Sequence, residues 1–252
     1  MSHQTIAENT YKGSIVDLKE FWEDKGEKKS FEQEYEIRLE GIQRIASEIQ
    51  PYLQTRLVLD VGCGPGVAAS FFPANSTVIG LDFSTSMLRS AKARIHSLLL
   101  ASAFKLPFRR CSFDVVTCLF VASDYSHKAS FFSEAYRVLR QGGFLLFSDY
   151  SPNDEHWRLR RTIRSIMGQS PNLFIEDEAS LLSQMRRTGF KVERTTRVQF
   201  HAPFKLERYV RSEDAINQLR KQNLGAWNDL QRCIRSNEIK REFTLIVGLK
   251  QL

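Results

Sequence analysis

The chain has 252 residues, a hydrophobic fraction of 42 %, a charged fraction of 26 % and a formal charge of +7. That length supports a full core, and the balance sits near the averages of folded domains, which excludes an extended disordered protein. The polar start at Met1 to Tyr11 lacks a secretory pattern, no apolar run reaches the length of a membrane span, and the four cysteines (Cys63, Cys111, Cys118, Cys233) form no CxxC pair, so a cytoplasmic protein with reduced thiols and no metal site is expected.

Leu18 to Ser30 holds Phe21 and Trp22 ahead of the mixed-charge stretch EDKGEKKS, and reads as a short helix followed by a mobile loop. From Phe31 to Leu53 the apolar residues Tyr35, Ile37, Leu39, Ile42, Ile45, Ala46, Ile49 and Leu53 recur at steps of three and four, predicting an amphipathic helix. The pattern then switches. Runs of strand length at Arg56–Val61, Thr77–Asp82, Ser97–Ala101, Phe113–Phe120 and Gly143–Asp149 alternate with helix candidates at Val67–Phe72, Thr85–His96 and Lys128–Arg140. Such alternation, with strands as continuously apolar as RLVLDV and FDVVTCLF, predicts a parallel sheet covered by helices on both faces. Helices are expected next at Asn153–Met167 and Glu178–Thr188 and a strand at Phe190–Phe200. Helical pieces at Leu206–Ser212, Ala215–Gln222 and Ala226–Ser236 then precede a last strand at Glu242–Leu249.

The strongest local signal is Leu57-Val58-Leu59-Asp60-Val61-Gly62-Cys63-Gly64-Pro65-Gly66, an apolar strand running into a glycine-rich turn and a helix. Glycines there permit a tight turn and close approach of the backbone to a ligand. Their spacing does not fit the dinucleotide fingerprint, whose third glycine would fall where Val67 stands, and no Lys-Ser/Thr follows for a phosphate loop. The second strand, Val78-Ile79-Gly80-Leu81, ends in Asp82. A carboxylate at that strand tip can accept from both hydroxyls of a ribose.

In these residues the sequence resembles the class I S-adenosylmethionine-dependent methyltransferases, in particular the broad group similar to ubiquinone/menaquinone- and biotin-biosynthesis methyltransferases. The resemblance runs over about 52–151 through VLDVGCGPG, VIGLDFSTSML, LPF, SFDVV and RVLRQGGFLLF, in that order. It implies an α/β fold with a doubly wound, mostly parallel seven-stranded sheet of the Rossmann-like methyltransferase type. Residues 1–50 would form an N-terminal helical lid, 51–150 the cofactor-binding core, and 151–252 the C-terminal strands with helical insertions, all in one domain. It implies S-adenosylmethionine as cofactor, with Gly62, Cys63, Gly64 and Gly66 beside its methionine part and Asp60 ordering the loop or a water. Asp82 would hold the ribose, Phe83 and Met87 would flank the adenine, and Leu119 is a further cofactor-binding candidate. The backbone N–H of Ala103 would reach the adenine, and Ser102 stands where the family usually places an aspartate. A serine still accepts that hydrogen bond, without the charge. Asp60 as a turn cap, and Phe83 and Met87 as ordinary core, remain the alternative readings of those positions.

Methyl transfer from a sulfonium requires alignment and a deprotonated nucleophile. The acceptor pocket should face Leu119–Tyr125 and Asp149–Pro152, with Asp124, Tyr125, Asp149 and Tyr150 as polar candidates; no base follows from the resemblance. The histidines form no motif, though His127, His156 and His201 could converge. Tyr11, Phe21, Trp22, Tyr35, Trp157, Phe174, Phe204, Tyr209 and Trp227 are candidates for an aromatic lid or for helix packing. Residues 1–150 carry 17 basic and 17 acidic residues, and 151–252 carry 19 against 12, including Arg158, Arg160, Arg161, Arg164, Arg186 and Arg187. That excess is either a solvated helix face or a surface for an anionic partner. The expected function is methylation of a small-molecule acceptor. An RNA- or protein-directed methyltransferase, and a cofactor-binding protein without transferase activity, are the alternatives.

Overall fold

The computed structural model describes residues 31–54, 57–168, 174–206 and 213–251, together with Glu23 and Tyr209. Apart from Glu23, the expected short helix and loop over 18–30 lie outside those residues, as does most of the helical piece expected at 206–212.

Helix α1 (Phe31–Ile49) buries Ile42, Ile45, Ala46 and Ile49, a stripe at helical spacing that Leu53 extends beyond the 3-10 turn Gln50–Tyr52. It lies so close to the sheet that a Cβ on Gly41 would stand 2.7 Å from Phe243 Cε2, a contact only glycine permits.

Strands β1 (Leu57–Val61), β2 (Thr77–Asp82), β3 (Ser97–Leu100), β4 (Phe113–Leu119) and β5 (Leu139–Tyr150) pair in parallel. Strand β7 (Glu238–Lys250) slots antiparallel between β5 and β6 (Phe190–Pro203), giving the seven-stranded order β3-β2-β1-β4-β5-β7-β6. The doubly wound, mostly parallel sheet is therefore as expected. Its central strands are apolar on both sides for a visible reason: Val58, Val115 and Leu146 point into one core layer, while Leu59, Val116 and Leu145, their neighbours in sequence, point into the other.

Helices α2 (Thr85–Ala91), α3 (Lys128–Val138), α4 (Glu155–Ile166), α5 (Glu178–Thr188), α6 (Glu213–Gln222) and α7 (Leu224–Ser236) complete the described elements. Three boundaries depart from the sequence reading. The helix expected to reach His96 stops at Ala91, because the N–H groups of Arg94 and Ile95 both turn onto Ala91 O at 2.8 and 2.9 Å, which carries Ile95 into a small cluster with Cys63 and Leu88. Val67–Phe71 is a 3-10 turn rather than an α-helix. The antiparallel arm is longer than expected, since β6 and β7 pair from Phe190↔Lys250 to Pro203↔Glu238.

A buried polar joint ties that arm to the parallel half. Asp154 Oδ1 accepts the Trp157 N–H at 3.0 Å and so caps α4, while its Oδ2 accepts from Arg241 Nε at 2.8 Å and from the Glu242 N–H at 2.9 Å. Among the described residues no helix is long and apolar enough to cross a membrane.

Candidate cofactor and acceptor site

In this strand order the chain reverses direction across the sheet between β1 and β4, and the crevice at such a switch point is where open α/β sheets bind ligands. A cleft lies there, lined by the turn after β1, the tip of β2, α1, the 3-10 turn Val67–Phe71 and the turn after β4.

The glycine turn is stitched to β2. The N–H groups of Gly62 and Cys63 donate to Leu81 O at 2.7 and 3.0 Å, and the Gly64 N–H donates to Asp82 Oδ2 at 2.9 Å. Asp82 Oδ1 accepts the Ser84 N–H at 2.9 Å. Asp82 thus clips the two strand tips together before any ligand is considered. Burial raises its carboxyl above the ordinary range, and the N–H groups of Ser84 and Gly64 oppose that rise.

Asp60 sits at the end of β1, where its Oδ1 accepts from Thr117 Oγ1 at 2.7 Å. Its Oδ2 is buried, with no hydrogen-bond partner among the described residues, and the residue lines the cleft. Burial pushes the carboxyl up to about 6, against the Thr117 hydrogen bond and with the negative charge of Asp82 adding to the rise. An orphaned acidic oxygen facing a cleft calls for a cation or a donor.

Asp60, Gly62, Cys63, Gly64, Asp82, Phe83, Met87 and Leu119 all line this one cleft. Gly66 and Ser102 do not. A Cβ on Gly66 would face Arg94 and Ile95 instead, and Ser102 is an exposed residue whose hydroxyl accepts the Phe104 N–H at 3.2 Å. Ala103 is likewise outside the lining. The Cys63 thiol, pushed far up by burial, stays protonated and donates to Gly64 O.

Of the four polar residues expected to face the acceptor, Asp124 lines the cleft and the other three are buried elsewhere. Tyr125 packs on Phe104 and Phe131 and bonds with Cys118. Tyr150 packs on Trp157 and Phe243, both at 5.0 Å between ring centroids. Asp149 is fully buried against the equally buried Lys128, 3.6 Å from its Nζ, which also bonds with Phe174 O and lies 3.7 Å from Glu176 Oε1. Burial raises the Asp149 carboxyl to about 6 despite the neighbouring ammonium. A strand-end aspartate was expected at the ligand; a lysine that sequence reasoning had not connected to it, one helix away, claims it instead.

The aromatic residues proposed as a lid divide in the same way. Trp157, Phe204 and Tyr209 are core, with Phe204 stacked on Tyr209 at 5.0 Å, while Phe174 and Trp227 do not line the cleft. Tyr11, Phe21 and Trp22, and the side chain of Tyr35, lie outside what is described. The histidines do not converge: His127 precedes α3, His156 on α4 bonds with Tyr209, and His201 lies on β6.

Other lining residues escaped the sequence reading as site residues. Ile42 and Ile45 from α1, and Val67, Ala68 and Phe71 from the 3-10 turn, also line the cleft. Their helical spacing marks them as buried, but spacing does not say against what. Glu23 was also missed; its carboxylate accepts the N–H groups of Thr85 and Ser86 at 2.7 and 2.8 Å and caps α2 beside Phe83 and Met87. Burial opposes its ionisation, but those donors together hold the carboxyl below its usual range.

Comparison with known proteins agrees with this geometry. Residues 59–147, from the end of β1 to β5, match the family described as a methyltransferase domain. A phthiotriol/phenolphthiotriol dimycocerosates methyltransferase of Mycobacterium ulcerans (strain Agy99) is 36 % identical over 122 residues, 44 % of this chain and 43 % of the relative. A demethylmenaquinone methyltransferase of Lactiplantibacillus plantarum is 36 % identical over 110 residues, 39 % of this chain and 46 % of the relative. The chain therefore spans less than half the length of these two relatives. A crystal structure from Bacillus halodurans C-125 superposes with a TM-score of 0.66 at 22 % identity, covering 84 % of this chain and 99 % of the other, and shows the shared fold.

The matched segment is that of a methyltransferase domain, and the sheet with its switch-point cleft has the class I S-adenosylmethionine-dependent methyltransferase fold. The cofactor of that domain is S-adenosylmethionine, and the residues fit it: Asp60 Oδ2 lacks a partner, Asp82 retains lone pairs at the cleft, and both acids favour a ligand that carries positive charge.

Proposed function

We propose that the protein transfers a methyl group from S-adenosylmethionine to a small-molecule acceptor by direct in-line displacement. The acceptor's lone pair forms the new bond to the methyl carbon as the carbon–sulfur bond breaks, the bonding pair stays on sulfur as a neutral thioether, and the acceptor's proton passes to solvent or a nearby base. Asp60 and Asp82, in a cleft walled by Met87, Leu119 and Phe120, hold the cationic cofactor where little water screens them. Phe83 and Met87 flank its base, and Asp124, on the turn after β4, meets the polar end of the acceptor.

The observation that carries this reading is that one cleft gathers the two strand-tip carboxylates Asp60 and Asp82 together with the apolar side chains Ile42, Ile45, Ala68 and Phe71. Its described lining contains no lysine or arginine, which suits a compact neutral acceptor better than a phosphate backbone. Of the basic α4 residues, Arg158 pairs with Asp229 and Arg160 lies over the Trp157 ring, roles that suit a solvated helix face. The names of the two relatives, acting on a lipid and on a quinone precursor, are consistent with a small-molecule acceptor.

The test is incubation with methyl-labelled S-adenosylmethionine and fractionated cell extract. Label in the metabolite fraction supports the reading. Label confined to RNA or protein overturns the acceptor assignment, and cofactor binding with no label in any fraction overturns the transferase assignment.

A further inference from the structure

The turn after β4 contains a backbone oddity at the centre of the cleft. Phe120 has φ +64°, a left-handed conformation that bulky residues rarely adopt because Cβ crowds the following carbonyl. Glycine is the usual solution at such a position. Two contacts hold the phenylalanine there: its N–H donates to Ser148 O at 3.1 Å, prolonging the β4–β5 ladder past the end of β4, and its ring packs edge-on against Phe243 with centroids 4.9 Å apart. Phe243 in turn packs on Phe200 and Tyr150, so the Phe120 ring is anchored in the antiparallel arm while its exposed part lines the cleft.

Strain of this kind, kept where glycine would relieve it, points to a use for the side chain. Phe120 shares the cleft with Ile42, Ile45, Ala68 and Phe71 and with Asp60 and Asp82. Its chain neighbour Val121 lies against Gly62, so Phe120 stands beside the cofactor turn as well as in the apolar lining, where an acceptor must lie to reach the methyl group.

We propose that Phe120 determines acceptor specificity: its left-handed backbone presents the ring as an apolar wall, with Ile42, Ile45 and Phe71, that selects an uncharged acceptor with a hydrocarbon-bearing or aromatic body. This rests on the methyl-transfer reading above. Anionic acceptors of the same size are selected against, because the only ionisable groups in the described lining besides the Cys63 thiol are Asp60, Asp82 and Asp124.

The experiment uses the full chain saturated with S-adenosylhomocysteine and titrated calorimetrically with 4-butylphenol, 4-hexylphenol and 4-hydroxybenzoate. The alkylphenols should bind, the hexyl compound more tightly, and the benzoate should not. Phe120→Gly keeps the left-handed turn and removes the ring; Phe120→Asn keeps a residue that tolerates that backbone and makes the wall polar. Both should weaken alkylphenol binding by about tenfold or more and abolish the advantage of the longer chain, each variant being titrated at a concentration of S-adenosylhomocysteine that saturates it. Equal alkylphenol affinity in wild type and either folded variant, no alkylphenol binding by the wild type, or preferred binding of the benzoate overturns the proposal. Absence of S-adenosylhomocysteine binding in the wild type is a different result, and it overturns the methyltransferase reading beneath it.

Discussion

The space that Gly62 leaves by having no side chain is filled by Val121: a Cβ on Gly62 would lie 2.5 Å from Val121 Cγ1. The turn after β1 and the turn after β4 are thus interlocked, and Val121 makes that contact directly after Phe120, whose φ is +64°.

Gly62→Ala is therefore expected to be doubly unfavourable. Gly62 has φ +70°, where an alanine is strained, and the new methyl collides with Val121. Left-handed strain of about 1 kcal/mol and overpacking of about 1–3 kcal/mol should lower the unfolding free energy in urea titrations. The double variant Gly62→Ala with Val121→Ala should recover the packing share and retain the backbone share. Wild-type stability in the single variant would show that the interlock does not exist.

Asp82 performs two tasks with one carboxylate, clipping Gly64 and Ser84 and facing the cleft. Asp82→Asn retains one acceptor oxygen and turns an NH2 group toward a donor. S-adenosylmethionine affinity should fall by about ten- to a hundredfold, the size expected for losing a hydrogen bond to a charged group, and the melting temperature should fall with it. Calorimetry that finds the affinity unchanged removes Asp82 from the cofactor site.

Asp60 makes cofactor binding depend on pH. Its carboxyl, raised by burial to about 6 in the free protein, is partly protonated near that pH, and a cationic ligand favours the ionised form. Binding should release a proton, and affinity should strengthen as pH rises through about 6 and level off above it. Over pH 5 to 7 the change should approach tenfold, since one proton corresponds to a factor of about ten per pH unit. The proton shows up as a buffer-dependent heat in calorimetry. Asp60→Asn should bind more weakly and lose this dependence; an Asn variant with the wild-type pH profile places the titrating group elsewhere.

The Lys128–Asp149 pair predicts a stability effect with a definite pH direction. Lys128→Met leaves a fully buried carboxylate without its cation, a loss of about 3–5 kcal/mol above neutral pH. The Asp149 carboxyl is already raised above its unfolded value, and without Lys128 it rises further. A raised acid is tolerated once protonated, and the unfolded value is common to both proteins, so the deficit should shrink as pH falls toward about 6 and nearly vanish below it. Urea titrations at pH 5 and pH 7.5 check this, and adding Asp149→Asn should restore much of the loss at the higher pH. A deficit equal at both pH values would mean that lost packing, not unpaired charge, is responsible.

Sequence alone determined the parallel half of this molecule, because there the information is local. Strand-length apolar runs, glycines at a strand end and an acid at the next strand tip sit within 57–82, and their spacing leads directly to two adjacent strand tips and a turn between them. Eight of the eleven expected cofactor residues share one cleft. Tertiary structure alone decided everything that depends on partners far apart in the chain. Asp149 looks like a ligand-facing strand end until Lys128 is seen beside it, and Trp157, Phe204 and Tyr209 look like a lid until Trp157 is found packed on Tyr150 and Phe204 stacked on Tyr209. Periodicity marks Ile42 and Ile45 as inward-facing without saying that they line this cleft. No pattern of residue types reveals that Phe120 holds a backbone conformation suited to glycine, since a dihedral angle is set by what surrounds it and leaves no trace in the residue's own name.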